Sequence, residues 1–317
     1  MARKNKRGPI RNFLEYVAIR WIAVALDALP ERAAFRCGEL LGRVLHLCDH
    51  KHRRITRNNL RLAFGDSVSE KWICCTARRV YEHFGQSLAE IARFHRSLRP
   101  ETVSKYFQFD GVENLRRAQQ RGKGTIIVTG HIGNWESAGV AIAAALCPVT
   151  TVARPLDNPL LDRYLVNARR TTGQRIIPKR GALRPLAETL RNCGTVILVG
   201  DQHAGPDGII VDFFGHPAST ISSVASLAVR FDAAIVPGYS RRIAPFRHVV
   251  HFDEPILPQH DSPREEQIRD LTAQFTSRLE DFIRTCPDQW LWLHRRWRAP
   301  VALSQDSPLR AESVPNR

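Results

Sequence analysis

Polar side chains suited to proton-transfer chemistry follow three apolar, strand-like segments of the sequence. His131 and Glu136 follow the segment 125–129, Arg154 follows 149–153, and Asp201 and His203 follow 195–199. In an open α/β sheet, ligands bind at the edge formed by the carboxyl ends of the strands. A carboxylate beside an imidazole fixes the ring tautomer and stabilises the imidazolium, so that the histidine can act as a general base. We therefore expect a site at this edge, with His131 as the base and Glu136 as its partner.

The spacing of His131 and Glu136 restricts how the two side chains can meet. On a single helix, residues five apart point about 140° away from each other, so His131 must precede the helix predicted for 134–145. Gly133 supplies the backbone freedom for that entry, and Asn134 is suited to cap the helix. The alternative interpretation is structural: a capping histidine followed by a first-turn acid that the helix dipole favours.

Apolar residues after residue 100 predict strands that alternate with helices. The predicted strands are 125–129, 149–153, 175–177, 195–199, 210–214, 234–237 and 249–252, and the predicted helices are 134–145, 158–170, 182–191, 222–230 and 265–284. This alternation is typical of an α/β fold in which helices flank a mostly parallel central sheet.

The N-terminal region predicts contact with a membrane. Residues 1–12 carry five basic side chains and no acidic one, which predicts a flexible arm. Residues 13–29 predict an apolar helix, but charged residues interrupt it and it is shorter than the ~20 residues that a membrane span needs. The basic flank and Trp21 favour a helix that lies in the membrane interface or anchors there. The alternative is a core helix of a soluble domain.

The remaining chain divides into one large region and a tail. Residues 32–98 predict helices, and we assign 30–299 to one α/β domain that includes them. Residues 300–317 are polar and contain serine and proline, which predicts a disordered tail.

The composition indicates an acidic partner but does not identify it. The net charge of +16 suits a nucleic acid, an anionic membrane surface or an acidic carrier protein. The segment 51–61 has five basic residues, yet no aromatic interleaving or binding module supports nucleic-acid contact. The seven cysteines are odd in number and have no C-x-x-C spacing, so we expect mostly buried thiols.

Several sequence signatures of active sites are missing. The chain has no G-x-S-x-G elbow, no phosphate-binding loop and no dinucleotide fingerprint. His131, Glu136, Asp201 and His203 could be recruited to a metal, but they lack a recognised ligand spacing. We therefore expect neither a metal nor a cofactor.

A set of motifs follows His131 in a fixed order. They are H-I-G-N-W-E from His131, Arg154-Pro155, N-P-x-x-D from Asn158 with Arg169 downstream, Asp201-Gln202 with Gly205, Phe213-Phe214-Gly215 with Thr220, Pro237, and P-D-Q-W-L-W-L-H-R-R ending at Arg296; R-N-N-L-R-L-A-F-G from Arg57 precedes them. Over about residues 13–299 the chain resembles the lipid A biosynthesis late acyltransferases, the lauroyl and myristoyl acyltransferases of the lysophospholipid acyltransferase superfamily.

The resemblance implies a glycerolipid acyltransferase-like α/β fold with a membrane-associated N-terminal helix. It also implies transfer of a fatty acyl chain from acyl carrier protein to a hydroxyl of a lipid A precursor, an anionic glycolipid, at the cytoplasmic face of the inner membrane. His131 and Glu136 would activate that hydroxyl. Arg169 is the first candidate to support the oxyanion of the thioester carbonyl and Arg154 the second, and either arginine could instead bind lipid phosphate. The implied substrate-binding residues are Arg154, Asn134, Asn158, Asp162, Asp201, Gln202, Phe214, Gly215 and Thr220.

Two alternatives to this function stay open. Related enzymes acylate other glycolipids or lysophospholipids, and the sequence has no feature that excludes them. A basic nucleic-acid-binding protein that uses 51–61 is the alternative of another class, although we expect no nucleic-acid partner.

Overall fold

The structure is a computed structural model that describes residues 8–170, 173–259 and 261–297, without the side chains of 95, 96, 165 and 167–170. Residues 1–7 of the predicted arm and the whole predicted tail lie outside the described residues.

Four helices come first in the described chain. They are α1 (Pro9–Ala28), α2 (Glu31–Cys48), α3 (His50–Phe64) and α4 (Glu70–Ser97). Helix α1 includes residues 13–28 of the helix predicted for 13–29, and it begins earlier because proline suits the first helical turn. Within the described ranges, no helix combines the length and the apolar composition that crossing a membrane requires.

Helix α2 packs unusually close to α4 because glycines lie at their contact. A Cβ atom added to Gly42 would lie 2.2 Å from the carbonyl oxygen of Tyr81, and one added to Gly38 would lie 2.6 Å from that of Gly85. This contact holds α4 in place, with His83 and Glu90 buried on its inner side.

A seven-stranded sheet forms the centre of the described chain. Its strands are β1 (Phe107–Asp110), β2 (Thr125–Thr129), β3 (Val149–Ala153), β4 (Gln174–Pro178), β5 (Thr195–Val199), β8 (Ala234–Ala244) and β9 (Arg247–Phe252). They are arranged in the order β1-β9-β8-β2-β5-β3-β4, and the β8–β9 pair alone is antiparallel. The predicted α/β class with a mostly parallel sheet is confirmed.

Helices cover both faces of this sheet. The remaining ones are α5 (Val112–Gln120), α6 (Trp135–Ala145), α7 (Pro159–Arg170), α8 (Leu183–Arg191), α9 (Ser223–Phe231) and α10 (Arg264–Thr285). Alternate side chains of β2 enter two different cores. Ile126 and Val128 pack with α9 and α10, whereas Ile127 packs with α5 and α6. Strand β2 is buried on both faces, which explains its uninterrupted apolar sequence.

The structure adds elements that the sequence patterns do not predict. Strand β1 carries the polar residues Gln108 and Asp110, which obscure its pattern. Strand β6 (Ile209–Phe213) lies one residue before the predicted strand 210–214, and it pairs in a separate hairpin with β7 (His216–Thr220), which the patterns do not predict. Strand β8 is longer than the predicted 234–237 because its second half pairs only with β9 and contains arginines.

Candidate active site

The sheet brings His131 and Asp201 together. Strands β2 and β5 are parallel neighbours, with Thr129 opposite Val199 at their carboxyl ends. The chain leaves both strands at the same edge, so the residues two positions beyond each strand meet. His131 lies before α6, as the five-residue spacing requires.

Asp201 holds both the backbone and the ring of His131. Its Oδ1 lies 2.7 Å from the ring Nδ1 of His131, and its Oδ2 accepts the backbone N–H of His131 at 2.6 Å. The indole Nε1–H of Trp290 donates to the same Oδ2 at 2.7 Å. Asp201 and Trp290 are both buried. The carboxylate therefore fixes His131 with Nδ1 protonated and leaves Nε2 as the acceptor nitrogen.

The ionisation of this pair follows from burial and charge. Burial by itself lowers the pKa of His131, but the carboxylate of Asp201 and, more weakly, that of Glu136 raise this pKa above its ordinary value. Burial would raise the pKa of Asp201, but the His131 ring outweighs it, so that the Asp201 pKa lies well below its usual range. The neutral imidazole is thus a stronger base than an ordinary histidine.

A second segment braces the loop that carries His131. The backbone N–H of Gly133 donates to the carbonyl of Gln289 at 2.9 Å, and the N–H of Leu291 donates to the carbonyl of His131 at 3.1 Å. Ile132 and Trp290 form an isolated β-bridge. The side-chain oxygen of Asn134 then accepts the N–H of Ser137 at 3.1 Å, which confirms Asn134 as the cap of α6.

His131 opens onto a cavity of about 520 Å³ between the ends of β2, β3 and β4 and helices α6 and α7. Predicted site residues at this cavity are Glu136, Arg154 and Asp162. Gln202 lies beside it, with its Nε2 3.5 Å from the Nε2 of His131. Asp162 also accepts the backbone N–H of Leu156 at 2.9 Å and so shapes the cavity wall.

The partner of the His131 ring differs from the predicted one. The carboxylate bonded to Nδ1 belongs to Asp201, not to Glu136, which lines the cavity instead. The sequence predicts Asp201 as a substrate contact; in the structure Asp201 is buried, and its oxygens bond to His131 and Trp290. Glu136 contributes its negative charge to the site.

Several other residues predicted to contact substrate have buried side chains that form hydrogen bonds within the protein. Asn134 is 1% exposed, and its amide donates to Glu90 at 3.0 Å. Asn158 is also buried and donates to the backbone carbonyl of Asn12 at 2.8 Å, which ties α7 to α1. Thr220 is fully buried and accepts from Arg296.

Phe214 and Gly215 are also placed away from the cavity. Phe214 is buried in an aromatic cluster with Phe64 and Trp292. Gly215 lies in the turn of the β6–β7 hairpin with a φ of 74°, which glycine accommodates readily. Arg169 belongs to α7, but its side chain lies outside the described residues.

Other polar residues near His131 were not predicted as functional. Trp290 donates a hydrogen bond to Asp201, and a buried cluster of His83, Glu90 and Arg242 contacts the loop at Gly133 and Asn134. The signal for Trp290 is its position inside the C-terminal motif. Glu90 gives no such signal, because an acidic residue on an amphipathic helix is normally exposed.

The described residues also bear on metal ligation and on the cysteines. His, Cys, Asp and Glu side chains of the described part form no group of three that could hold a metal ion. Its seven cysteines are all unpaired, but only Cys286 is buried, so the expectation of mostly buried thiols is wrong.

Comparison with known proteins identifies the family. A family model described as bacterial lipid A biosynthesis acyltransferase matches residues 4–299. The chain belongs to this family. Membership in the bacterial lipid A biosynthesis acyltransferase family makes the cavity beside His131 the candidate site of acyl transfer.

The curated relatives in this family carry two kinds of name. A phosphatidylinositol mannoside acyltransferase of Mycobacterium tuberculosis (strain ATCC 25618 / H37Rv) is 27% identical, over 93% of this chain and 91% of the relative. The lipid A biosynthesis lauroyltransferase of Escherichia coli (strain K12) is 26% identical, over 95% of this chain and 92% of the relative. The lipid A biosynthesis palmitoleoyltransferase of the same strain is also 26% identical, over 91% of this chain and 92% of the relative.

Among solved structures, a similar chain is the 1-acyl-sn-glycerophosphate acyltransferase of Thermotoga maritima. It matches with a TM-score of 0.41 and 16% identity, over 83% of this chain and all of the other.

Proposed function

We propose that this acyltransferase moves a fatty acyl chain from acyl carrier protein to a hydroxyl of a lipid A precursor at the cytoplasmic face of the inner membrane. A mannosylated phosphoinositide or a related glycolipid is the alternative acceptor, because relatives with that name are equally similar. The observation that carries the proposal is the hydrogen bond between the ring of His131, at the wall of a cavity, and the buried carboxylate of Asp201.

His131 acts as the general base in this proposal. Its Nε2 removes the proton of the acceptor hydroxyl, and the oxygen attacks the thioester carbonyl to form the new C–O bond. The C–S bond then breaks, and the imidazolium returns its proton to the leaving sulfur, so that the carrier is released as a thiol. Asp201 orients the ring and stabilises the imidazolium that forms between these steps. The oxyanion needs a nearby cation or N–H donors, and Arg169 stays our candidate for that role.

Arg154 is proposed to contact a phosphate of the acceptor or of the carrier. Its side chain is 69% exposed and lines the cavity, and the neighbouring carboxylate of Asp157 is 4.0 Å away. The planar guanidinium suits bidentate contact with phosphate oxygens.

Apolar surfaces beside the cavity support a lipid substrate. A second cavity of about 500 Å³ lies between α1, α2, α4 and α7, and Leu156 lines both cavities. The outer faces of α1 and α2 expose large apolar side chains, among them Phe13, Trp21, Leu40 and Leu47. Such a patch is typical of contact with a membrane, and we propose that these helices lie in its surface.

The proposed function is tested by assaying the purified protein with acylated carrier protein and two acceptors, a lipid A precursor and a phosphatidylinositol mannoside. We expect one acylated glycolipid product, detected by mass spectrometry, and free carrier thiol in equal amount. Transfer to the mannoside alone would show that the acceptor is a phosphatidylinositol mannoside and would leave the proposed mechanism unchanged. No transfer to either acceptor from carrier or coenzyme A thioesters would overturn the proposal.

The exposed face of α1 should dominate membrane binding. Phe13 and Trp21 are 57% and 71% exposed, and burying an aromatic side chain is worth about 1.5–3 kcal/mol. We therefore expect the double variant Phe13→Ser/Trp21→Ser to lose on the order of tenfold or more in partition to anionic vesicles, measured by flotation. The control is Leu183→Ser, since Leu183 is 60% exposed on α8. Equal partition of both variants would show that another surface binds the membrane.

A further inference from the structure

A buried ion pair lies behind the loop that carries His131. The carboxylate of Glu90 on α4 receives two hydrogen bonds from the guanidinium of Arg242 on β8, each 2.8 Å long. The Nε2 of His248 lies 3.2 Å from the same carboxylate. Glu90 and His248 are fully buried, and the Arg242 side chain is 6% exposed.

This cluster reaches the loop at two consecutive residues. The amide of Asn134 donates to Oε2 of Glu90 at 3.0 Å, while the oxygen of the same amide caps α6. The ring of His83 lies 3.2 Å from the carbonyl oxygen of Gly133. The loop from His131 to Asn134 is therefore held at one end by Asp201 and at the other by Glu90.

Arg242 also orders the segment that braces the loop. Its backbone N–H and carbonyl bond to the side-chain amide of Gln289 at 2.8 Å and 3.0 Å. The carbonyl of Gln289 in turn accepts the N–H of Gly133. One ion pair thus fixes the loop directly through Asn134 and indirectly through Gln289.

Stability alone does not account for such an arrangement. Replacing a buried ion pair by apolar residues of similar volume is often neutral or stabilising, because desolvation of the charges offsets their attraction. Hydrogen bonds with charged partners, however, are short and directional. A buried carboxylate with several donors therefore sets the position of a loop more sharply than apolar packing does.

We propose that Glu90 and Arg242 are positioning residues of the acyl transfer reaction. They place the peptide after His131 so that its ring meets Asp201 on one side and the cavity on the other. The proposal rests on the function proposed for His131, and its effect should appear in kcat more than in KM. Displacement of a catalytic group by about 1 Å can cost on the order of 100-fold in rate.

The variant Asn134→Ser separates the two contacts of Asn134. Serine keeps an oxygen that can cap α6 but loses the amide donor to Glu90. We expect kcat to fall on the order of 10- to 100-fold, with the KM of both substrates nearly unchanged. We also expect the acid limb of the kcat/KM profile to move to lower pH, because the ring loosens from Asp201.

Glu82→Gln is the control. Glu82 lies on α4 eight residues before Glu90, and it forms an ion pair with Arg43 of α2 instead of with Arg242. This variant should leave kcat and the pH profile unchanged. Arg242→Lys, which keeps the charge without the bidentate contact, should lie between Asn134→Ser and the wild type. Circular dichroism and thermal unfolding report the fold of each variant.

Three outcomes would overturn the positioning role. Folded Asn134→Ser with wild-type kcat and pH profile would show that the contact with Glu90 is structural only. Loss of folding in Asn134→Ser and Arg242→Lys together would assign the cluster to stability. A kcat loss without a shifted acid limb would separate Glu90 from the His131–Asp201 pair. Normal activity of His131→Ala would instead refute the function itself.

Discussion

Replacement of His131 by alanine should lower kcat for acyl transfer by about 10²- to 10⁴-fold, the usual contribution of a general base. The protein should stay folded because His131 lies in a loop at the sheet edge, beyond the last residue of β2. Steady-state transfer assays with folding checked by circular dichroism measure this effect. Near-normal turnover in folded His131→Ala would falsify the mechanism.

Asp201→Asn should lower kcat nearly as much as His131→Ala does, because the hydrogen bonds at Asp201 determine how the new amide is oriented. The Oδ2 of Asp201 accepts two N–H groups, from the His131 backbone and from Trp290, and neither group can accept in return. The amide oxygen of asparagine must therefore occupy that position, which turns its NH₂ toward Nδ1 of the ring. The ring would then carry its proton on Nε2, where a base needs a lone pair. In a serine protease triad the same exchange costs about 10⁴-fold in kcat.

The two losses should be less than additive, because Asp201 acts through His131. The double variant should be about as slow as His131→Ala. The kcat/KM profile gives a further test: activity falls as pH decreases through the His131 pKa, which lies above its ordinary value in the folded protein. Glu136→Gln should move this acid limb slightly to lower pH and cost much less turnover. A Glu136→Gln loss equal to that of Asp201→Asn would contradict this division of roles.

Gly133→Ala should be the most destabilising small substitution in the loop. Gly133 has a φ of 60°, and a Cβ atom there would lie 1.9 Å from the carbonyl oxygen of Ser240. The positive φ costs an alanine about 1–2 kcal/mol, and the collision with fixed backbone adds about 1–3 kcal/mol. We expect the free energy of unfolding to fall by about 2–5 kcal/mol as the sum of these two costs.

Gly122→Ala is a matched control for that variant. Gly122 has a φ of 66°, but no atom lies within 4 Å of its added Cβ. Only the cost of the positive φ, about 1–2 kcal/mol, should remain. Urea unfolding of both proteins measures the difference. Equal losses would mean that the backbone around Ser240 yields to the new methyl group, and that the loop is not rigidly braced.

The sheet and its edge could be predicted because strand and helix patterns are local. The segments 125–129, 149–153 and 195–199 match β2, β3 and β5 residue for residue. The partner of His131 could not be predicted in the same way. Glu136 is near in sequence, whereas Asp201 is adjacent only because β5 lies beside β2, and strand order is not encoded in local periodicity.

A residue's place in one of the ordered motifs also does not tell whether it contacts substrate or only stabilises the fold. Asn158 and Thr220 belong to the ordered motifs, yet one ties α7 to α1 and the other accepts from buried Arg296. Burial decides between these roles, and burial depends on tertiary packing. Glu90 shows the converse: a charged residue on a helix is predicted to face solvent, although here it is fully buried.

The brace from Gln289 to Leu291 has a consequence for the order in which the protein forms. This segment is synthesised after the residues that it contacts: Trp290 lies 89 residues after Asp201. Gln289 and Leu291, which bond to the backbone of Gly133 and His131, come still later relative to the loop. The side-chain amide of Asn59 likewise donates to the backbone carbonyls of Trp292 and His294, which are synthesised much later. Contacts of such high sequence separation are slow to form. The last strand of the sheet, β9, ends at Phe252, so a nascent chain contains every strand of the sheet before it contains the segment that braces the His131 loop.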